Sequence, residues 1–142
     1  MFMKCIFCEI INKNIPSSIV YEDEGVIAFL DINPRTRGHT LVVPKRHVSS
    51  LIELSDEEVC ELFRDVKKCA ELLMKKLGAT GFNIGLNNGR SAGQLIEHVH
   101  VHILPRYGDE GKGFESAFPI DEELSEKVKN MPKGLIDFST LP

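Results

Sequence analysis

Three of the five histidines stand at positions 98, 100 and 102. In a strand alternate side chains share a face, so the three imidazoles project together while Val99, Val101 and Ile103 point into the core. Imidazole at neutral pH serves as nucleophile, proton donor or metal ligand, and three on one face invite a single ion. Neighbours in the row are about 7 Å apart along the backbone, which one ion can bridge, but the outer pair is nearly twice as far. The row therefore serves two adjacent tasks. Directly upstream, Asn87, Asn88, Gly89, Gly93 and Gln94 make a loop rich in backbone and side-chain amides, which is what an anion such as phosphate needs. Cys5 and Cys8 form a C-x-x-C, which suits a metal or a redox pair better than a long-range disulfide.

The rest of the chain supplies elements to hold these groups. Residues 7–13 read as a short helix ending before Pro16. Residues 18–21 and 25–32 are apolar, β-branched runs split by the acidic turn Glu22-Asp23-Glu24, which predicts a hairpin. Asn33-Pro34 breaks the second run, and 40–43 is a third strand stopped by Pro44. The longest helix is predicted over 56–77, where Ser55 and Glu58 make a capping box. Val59, Leu62, Phe63, Val66, Cys69, Ala70, Leu73 and Leu77 form its apolar stripe, and Gly78 supplies the stop. Cys60 and Cys69 fall on opposite helix faces and cannot bridge. Residues 82–87 and 97–104 are two further strands flanking the amide-rich loop. The fold class is α+β, an antiparallel sheet of about five strands with one long helix packed on it, a short N-terminal helix and a C-terminal extension. Residues 1–106 make the domain, and 107–142, with a short helix over 122–129, extend that same domain.

The segment His98-Val99-His100-Val101-His102-Ile103-Leu104 matches the His-φ-His-φ-His-φ-φ signature. In it the chain resembles the histidine triad (HIT) nucleotide hydrolases and transferases. The resemblance runs roughly from Cys5 to Arg106 and takes in Asp31-Ile32-Asn33-Pro34, Gly38-His39-Thr40-Leu41-Val42-Val43-Pro44-Lys45 and Ala92-Gly93-Gln94. It implies a HIT-like fold and a nucleotidyl-histidine intermediate in which His100 attacks the α-phosphorus. His102 would then donate to the α-phosphate oxygens, His39 would help hold the row, and Gln94 would position the bridging group. Asp31, with Ile32 beside it, would take the ribose hydroxyls, and Asn87, Gly93 and the amides near Leu95 would take the phosphate. Imidazole suits this chemistry because it is a neutral nucleophile whose N–P bond is labile to water. The other reading of Asp31 is a turn cap before Pro34.

Cys5 and Cys8 also resemble the C-x-x-C of a zinc-binding branch of that family, where His47 and His98 would complete the ligand set. Two cysteines and two histidines are the closed tetrahedral composition of a structural Zn2+. His98 would then serve the metal while His100 and His102 face the phosphate. Two other readings stay open: a reduced thiol pair with no metal, and a catalytic ion on His98 and His100.

The expected substrate is a purine nucleoside phosphoramidate or a dinucleoside polyphosphate. Leu95 stands where many relatives carry Ser or Thr near the leaving group, and Leu104-Pro105-Arg106 is similar to the polyphosphate hydrolases, so the leaving group is open. The alternative from another class is a non-catalytic, zinc-stabilised nucleotide-binding module. The resemblance also implies a homodimer through the helix and a sheet edge. The 142 residues carry 17 Lys and Arg against 21 Asp and Glu, which lacks the basic footprint of a nucleic-acid binder. No apolar run approaches the roughly 18 residues that span a bilayer. Glu9 interrupts the stretch a secretory leader would need, and four cysteines fit a reduced state, so the chain reads as cytoplasmic.

Overall fold

Val26–Leu30 and Thr40–Pro44 are apolar or β-branched at every position, and almost all of these residues are buried. Strands covered on both faces need such continuous runs, because neither side meets water. In a computed structural model, which describes residues 5–142, they are β2 and β3 of a five-stranded antiparallel sheet. The others are β1 (Ile19–Glu22), β4 (Gly81–Gly85) and β5 (Val101–Arg106), in the order β1-β2-β3-β5-β4. The four residues before Cys5, part of the amino-terminal stretch considered above, lie outside the described residues.

Alternation divides the sheet between two layers. Val26, Ala28, Val42, Val101 and Ile103 pack with Leu62, Val66, Cys69, Ala70 and Leu73 of the long helix α2 (Asp56–Leu77). Ile27, Phe29, Leu41 and Val43 pack with Phe7 and Ile10 of α1 (Ile6–Ile11), which covers the opposite face. The Ser55–Glu58 capping box is formed, and Gly78 ends α2 in the left-handed conformation. Phe63 departs from the expected stripe and is 38% exposed. Asp65, a polar residue within the stripe's register, is fully buried, and its carboxyl meets that of Asp23 in the β1–β2 turn.

The histidine strand is shorter than the sequence predicts. β5 begins at Val101, not at residue 97, so His98 and His100 lie in the extended segment leading into it. The register explains the late start. The β3–β5 ladder pairs Thr40 with Ile103, Leu41 with His102 and Val42 with Val101, so two steps further it would need Pro44 opposite Val99. Pro44 has no N–H to give, its carbonyl is taken by the His98 ring at 2.8 Å, and Val99 N–H donates instead to Val48. The alternation survives, since Val99, Val101 and Ile103 all lie in the core beside α2. Likewise α1 ends at Ile11 rather than 13, and β4 ends at Gly85 rather than 87.

The chain divides into two compact units, the first ending at Glu110 and the second formed by Gly111–Pro142. The second holds α3 (Phe114–Ala117) and α4 (Glu122–Lys129), the latter capped by the Asp121 carboxylate on Leu124 N–H. Among the described residues no helix is long and apolar enough to cross a membrane.

Candidate functional site

Each histidine of the row is held by a partner that fixes which ring nitrogen carries the proton. Carbonyl oxygens only accept, so His98 donates from Nε2 to Pro44 O at 2.8 Å, leaving its Nδ1 lone pair free. His100 donates from Nδ1 to His98 O at 2.7 Å, leaving its Nε2 lone pair free. The Arg35 backbone N–H can only donate, and it reaches His39 Nδ1 at 3.0 Å. His39 is therefore neutral with its proton on Nε2, which it gives to His102 Nδ1 at 2.9 Å. His102 is left with an Nε2–H donor. Burial pushes both rings toward the neutral form, His39 below the usual histidine value and His102 down to about 4, with His100 and His39 as further causes at His102. The row thus offers in succession the Nδ1 of His98, the Nε2 of His100 and a neutral Nε2–H donor at His102.

His39 owes its place to the residue before it. Gly38 has φ +85°, and a Cβ there would lie 2.5 Å from Leu77 Cδ1 and 3.3 Å from Pro105 Cγ. Only glycine lets the chain turn against the end of α2 and enter β3 at that point.

The His98 lone pair points into a quartet. His98 Nδ1 lies 3.0 Å from His47 Nδ1, 3.5 Å from Cys5 Sγ and 3.6 Å from Cys8 Sγ, and His47 Nδ1 is 3.3 Å from Cys8 Sγ. A tetrahedral zinc with Zn–S near 2.3 Å and Zn–N near 2.0–2.1 Å has ligand-to-ligand edges of roughly 3.3–3.8 Å. Three of the four edges, at 3.3–3.6 Å, fall within that range, and the His47–His98 edge at 3.0 Å is shorter than it. Two thiol sulfurs and two imidazole nitrogens converge on one point, the donor chemistry of a closed zinc site. Burial, then the Cys5 thiol beside it, pushes the Cys8 thiol up to about 11, and a bound cation would supply the charge that makes it a thiolate. Cys5 and Cys8 are half-buried free thiols.

His100 and His102 line one wall of a cavity of about 420 Å³, within the usual range for small-molecule sites. Its inner wall is apolar, formed by Ile6, Phe7 and Ile10 of α1 with Phe29 and Leu41. Asp31, Ile32, Asn87, Gly93 and Leu95 also line it, as the sequence reading expects. Asp31 Oδ1 accepts from Asn33 N–H at 2.8 Å, while Oδ2 lies 3.6 Å from His39 Nε2. Gln94, expected to position the bridging group, has its amide committed to the loop. It is 7% exposed, its Oε1 accepts from Gly89 N–H, and its Nε2 donates to Ser49 O and Ile96 O. Its amide is used up bracing the loop. His39 likewise stands behind His102 rather than on the cavity wall.

Sequence reasoning missed the apolar wall from α1 and the Arg35 guanidinium at the cavity lining. Arg35 forms no ion pair among the described residues and spends one N–H on Asn33 O. The signal for α1 lay in its Ile-Phe-x-x-Ile spacing, which places Ile6, Phe7 and Ile10 on one side of a helix.

A family model of the HIT domain matches residues 12–109. An uncharacterised HIT-like protein of Methanocaldococcus jannaschii is 55% identical over 127 residues, covering 89% of this chain and 98% of that protein. The adenosine 5′-monophosphoramidase of Schizosaccharomyces pombe is 41% identical, over 89% of this chain and 100% of its own length. A zinc-bound histidine triad family protein of Mycobacterium smegmatis shares the fold with a TM-score of 0.74 at 38% identity, covering 79% of this chain and 81% of that one.

Proposed function

The chain belongs to the HIT domain family, and on that premise we propose that it hydrolyses a purine nucleotide derivative at the α-phosphorus through a nucleotidyl intermediate on His100. The observation that carries this reading is the 2.7 Å bond from His100 Nδ1 to His98 O, which leaves Nε2 as the ring nitrogen available for attack at the cavity wall. The Nε2 lone pair forms the N–P bond as the bond from phosphorus to the leaving group breaks, and the leaving group departs with its electron pair and takes up a proton. Water then attacks the same phosphorus, the N–P electrons return to Nε2, and the nucleoside monophosphate leaves.

The other residues divide the substrate between them. The apolar wall of Ile6, Phe7, Ile10, Phe29 and Leu41 takes the base. Asp31 Oδ2 accepts from the ribose hydroxyls, with Ile32 beside it. His102 Nε2–H, Asn87 and the backbone around Gly93 and Leu95 donate to the phosphate oxygens as charge builds on them. His39 acts through His102 by fixing its tautomer. Cys5, Cys8, His47 and His98 would hold a zinc ion, which supplies a structural clamp rather than a reacting group. A phosphoramidate is favoured over a dinucleoside polyphosphate by the likeness to the fission-yeast phosphoramidase. We also infer a homodimer, because β4 is an outer strand whose Phe82 and Ile84 are 40% and 42% exposed.

Replacing His100 with Ala and measuring AMP release from an adenosine phosphoramidate tests the reading. Loss of at least about 10³-fold with nucleotide binding retained is expected. Undiminished release overturns it, and binding without turnover in the unaltered protein would favour the non-catalytic module.

A further inference from the structure

His98 faces two ways. Its ring joins Cys5, Cys8 and His47, while its carbonyl oxygen takes the Nδ1 proton of His100 at 2.7 Å. A second link runs through α1. Phe7 lies between the two thiols in sequence, is buried, and sets its ring edge-on to His100 with centroids 5.0 Å apart and planes at 74°. The same ring meets His98 at 6.0 Å. Cys5 Sγ accepts Cys8 N–H at 3.4 Å, so the thiols that flank Phe7 also close the first turn of its helix. Six residues are too few for a helix to hold itself in water, so α1 keeps its place only through its attachments. Both the polar partner of the His100 ring and the apolar wall against it are therefore fastened to the Cys2His2 quartet.

We propose that this quartet positions the nucleophile: a cation of the zinc type bound by Cys5, Cys8, His47 and His98 fixes the His98 carbonyl and the Phe7 ring, and through them the tautomer and orientation of His100. The inference rests on the reading of His100 as nucleophile and extends it. His98 is a positioning residue that acts through His100, and Phe7, besides lining the wall for the base, positions the same ring. Without the cation, an imidazole N–H or a thiol S–H bridges the four donors in place of four metal bonds, and this weaker tie admits a turn of His98 or a retreat of α1. Either one loosens the hold on His100, and a misplacement of about 1 Å can cost on the order of 100-fold in rate.

The test uses the full chain labelled with 15N-histidine, as loaded with zinc, after chelation, and after zinc is restored. The ligand-free protein is read by the ring-nitrogen shifts of His100, and kcat and KM are measured on an adenosine phosphoramidate. The loaded protein should show His100 as the single Nδ1–H tautomer. Chelation should give mixed tautomers and a kcat lower by about 10- to 100-fold, with KM moved far less, and zinc should reverse both. A chelated protein that stays folded yet keeps the Nδ1–H tautomer and full kcat would overturn the proposal. If chelation unfolds the chain, Phe7→Leu loaded with zinc decides. A shifted His100 signature with unchanged metal stoichiometry supports the coupling, and an unchanged signature and kcat defeat it. Full turnover in His100→Ala would remove the nucleophile reading while leaving the metal-dependent tautomer standing.

Discussion

At the scale of single residues, three identical side chains are sorted into two tautomers, Nε2–H at His98 and His102 and Nδ1–H at His100, by three main-chain groups. The Pro44 carbonyl, the His98 carbonyl and, through His39, the Arg35 N–H set the proton on His98, His100 and His102. His102 therefore donates as a neutral ring. Because burial holds it down to about 4, it stays uncharged from pH 5 upward, and kcat should not decline between pH 6 and 8. A cationic acid at this position would instead give a rate that falls as pH rises through that range. Replacing His39 with Leu removes the donor to His102 Nδ1 and lets the proton move to the wrong nitrogen. The expected result is a kcat lower by about 10- to 100-fold with little change in KM. The row itself was legible in the sequence, because a period of two is a local signal. The tautomers were not, since each depends on a partner from a distant element. Gln94 shows the same limit: its amide type pointed to substrate, and only the folded loop reveals that Gly89, Ser49 and Ile96 have already claimed it.

Among the elements, α2 was the most readable, because its cap, stripe and stop are all written locally. Asp65 escaped that reading since its burial depends on the hairpin turn that brings Asp23 to it. Burial and the Asp23 carboxyl push Asp65 up to about 6, and its Oδ2 has no hydrogen-bond partner among the described residues. At Asp65 the folded chain therefore binds more protons than the unfolded chain, whose Asp titrates near 4, so this residue lowers stability as pH rises from about 4 to 6. Asp65→Asn should stabilise the protein above pH 6 by about 1 kcal/mol, a few degrees in Tm, and the gain should vanish below pH 4. Thermal melts at pH 4 and 7.5 check this, and equal or lower stability of the variant at pH 7.5 would contradict it. His102 works in the opposite sense. Its lowered value makes it lose stability as pH falls from about 6.5 toward 4. The late start of β5 was hidden for a different reason: the apolar alternation continues through residues 98–100, and only the pairing with β3 shows that Pro44 ends the ladder.

For the whole molecule, a net charge of −4 and an anionic substrate are compatible because the field in a cleft comes from nearby groups. Here those are imidazoles, loop amides and Arg35. The exposed edge of β4 carries the assembly reading, so Ile84→Lys should shift the protein from dimer to monomer in analytical ultracentrifugation. A variant that sediments like the parent dimer would remove β4 from the interface. The central claim is tested most directly by catching the covalent intermediate. The protein is mixed with an adenosine phosphoramidate, quenched during turnover and digested, and its peptides are read by mass spectrometry under mild conditions. The account predicts an acid-labile adenylyl group on the peptide carrying His100, localised to that ring and absent from His100→Ala. Steady turnover with the His100 ring unmodified, or with the adenylyl group on another residue, would contradict it.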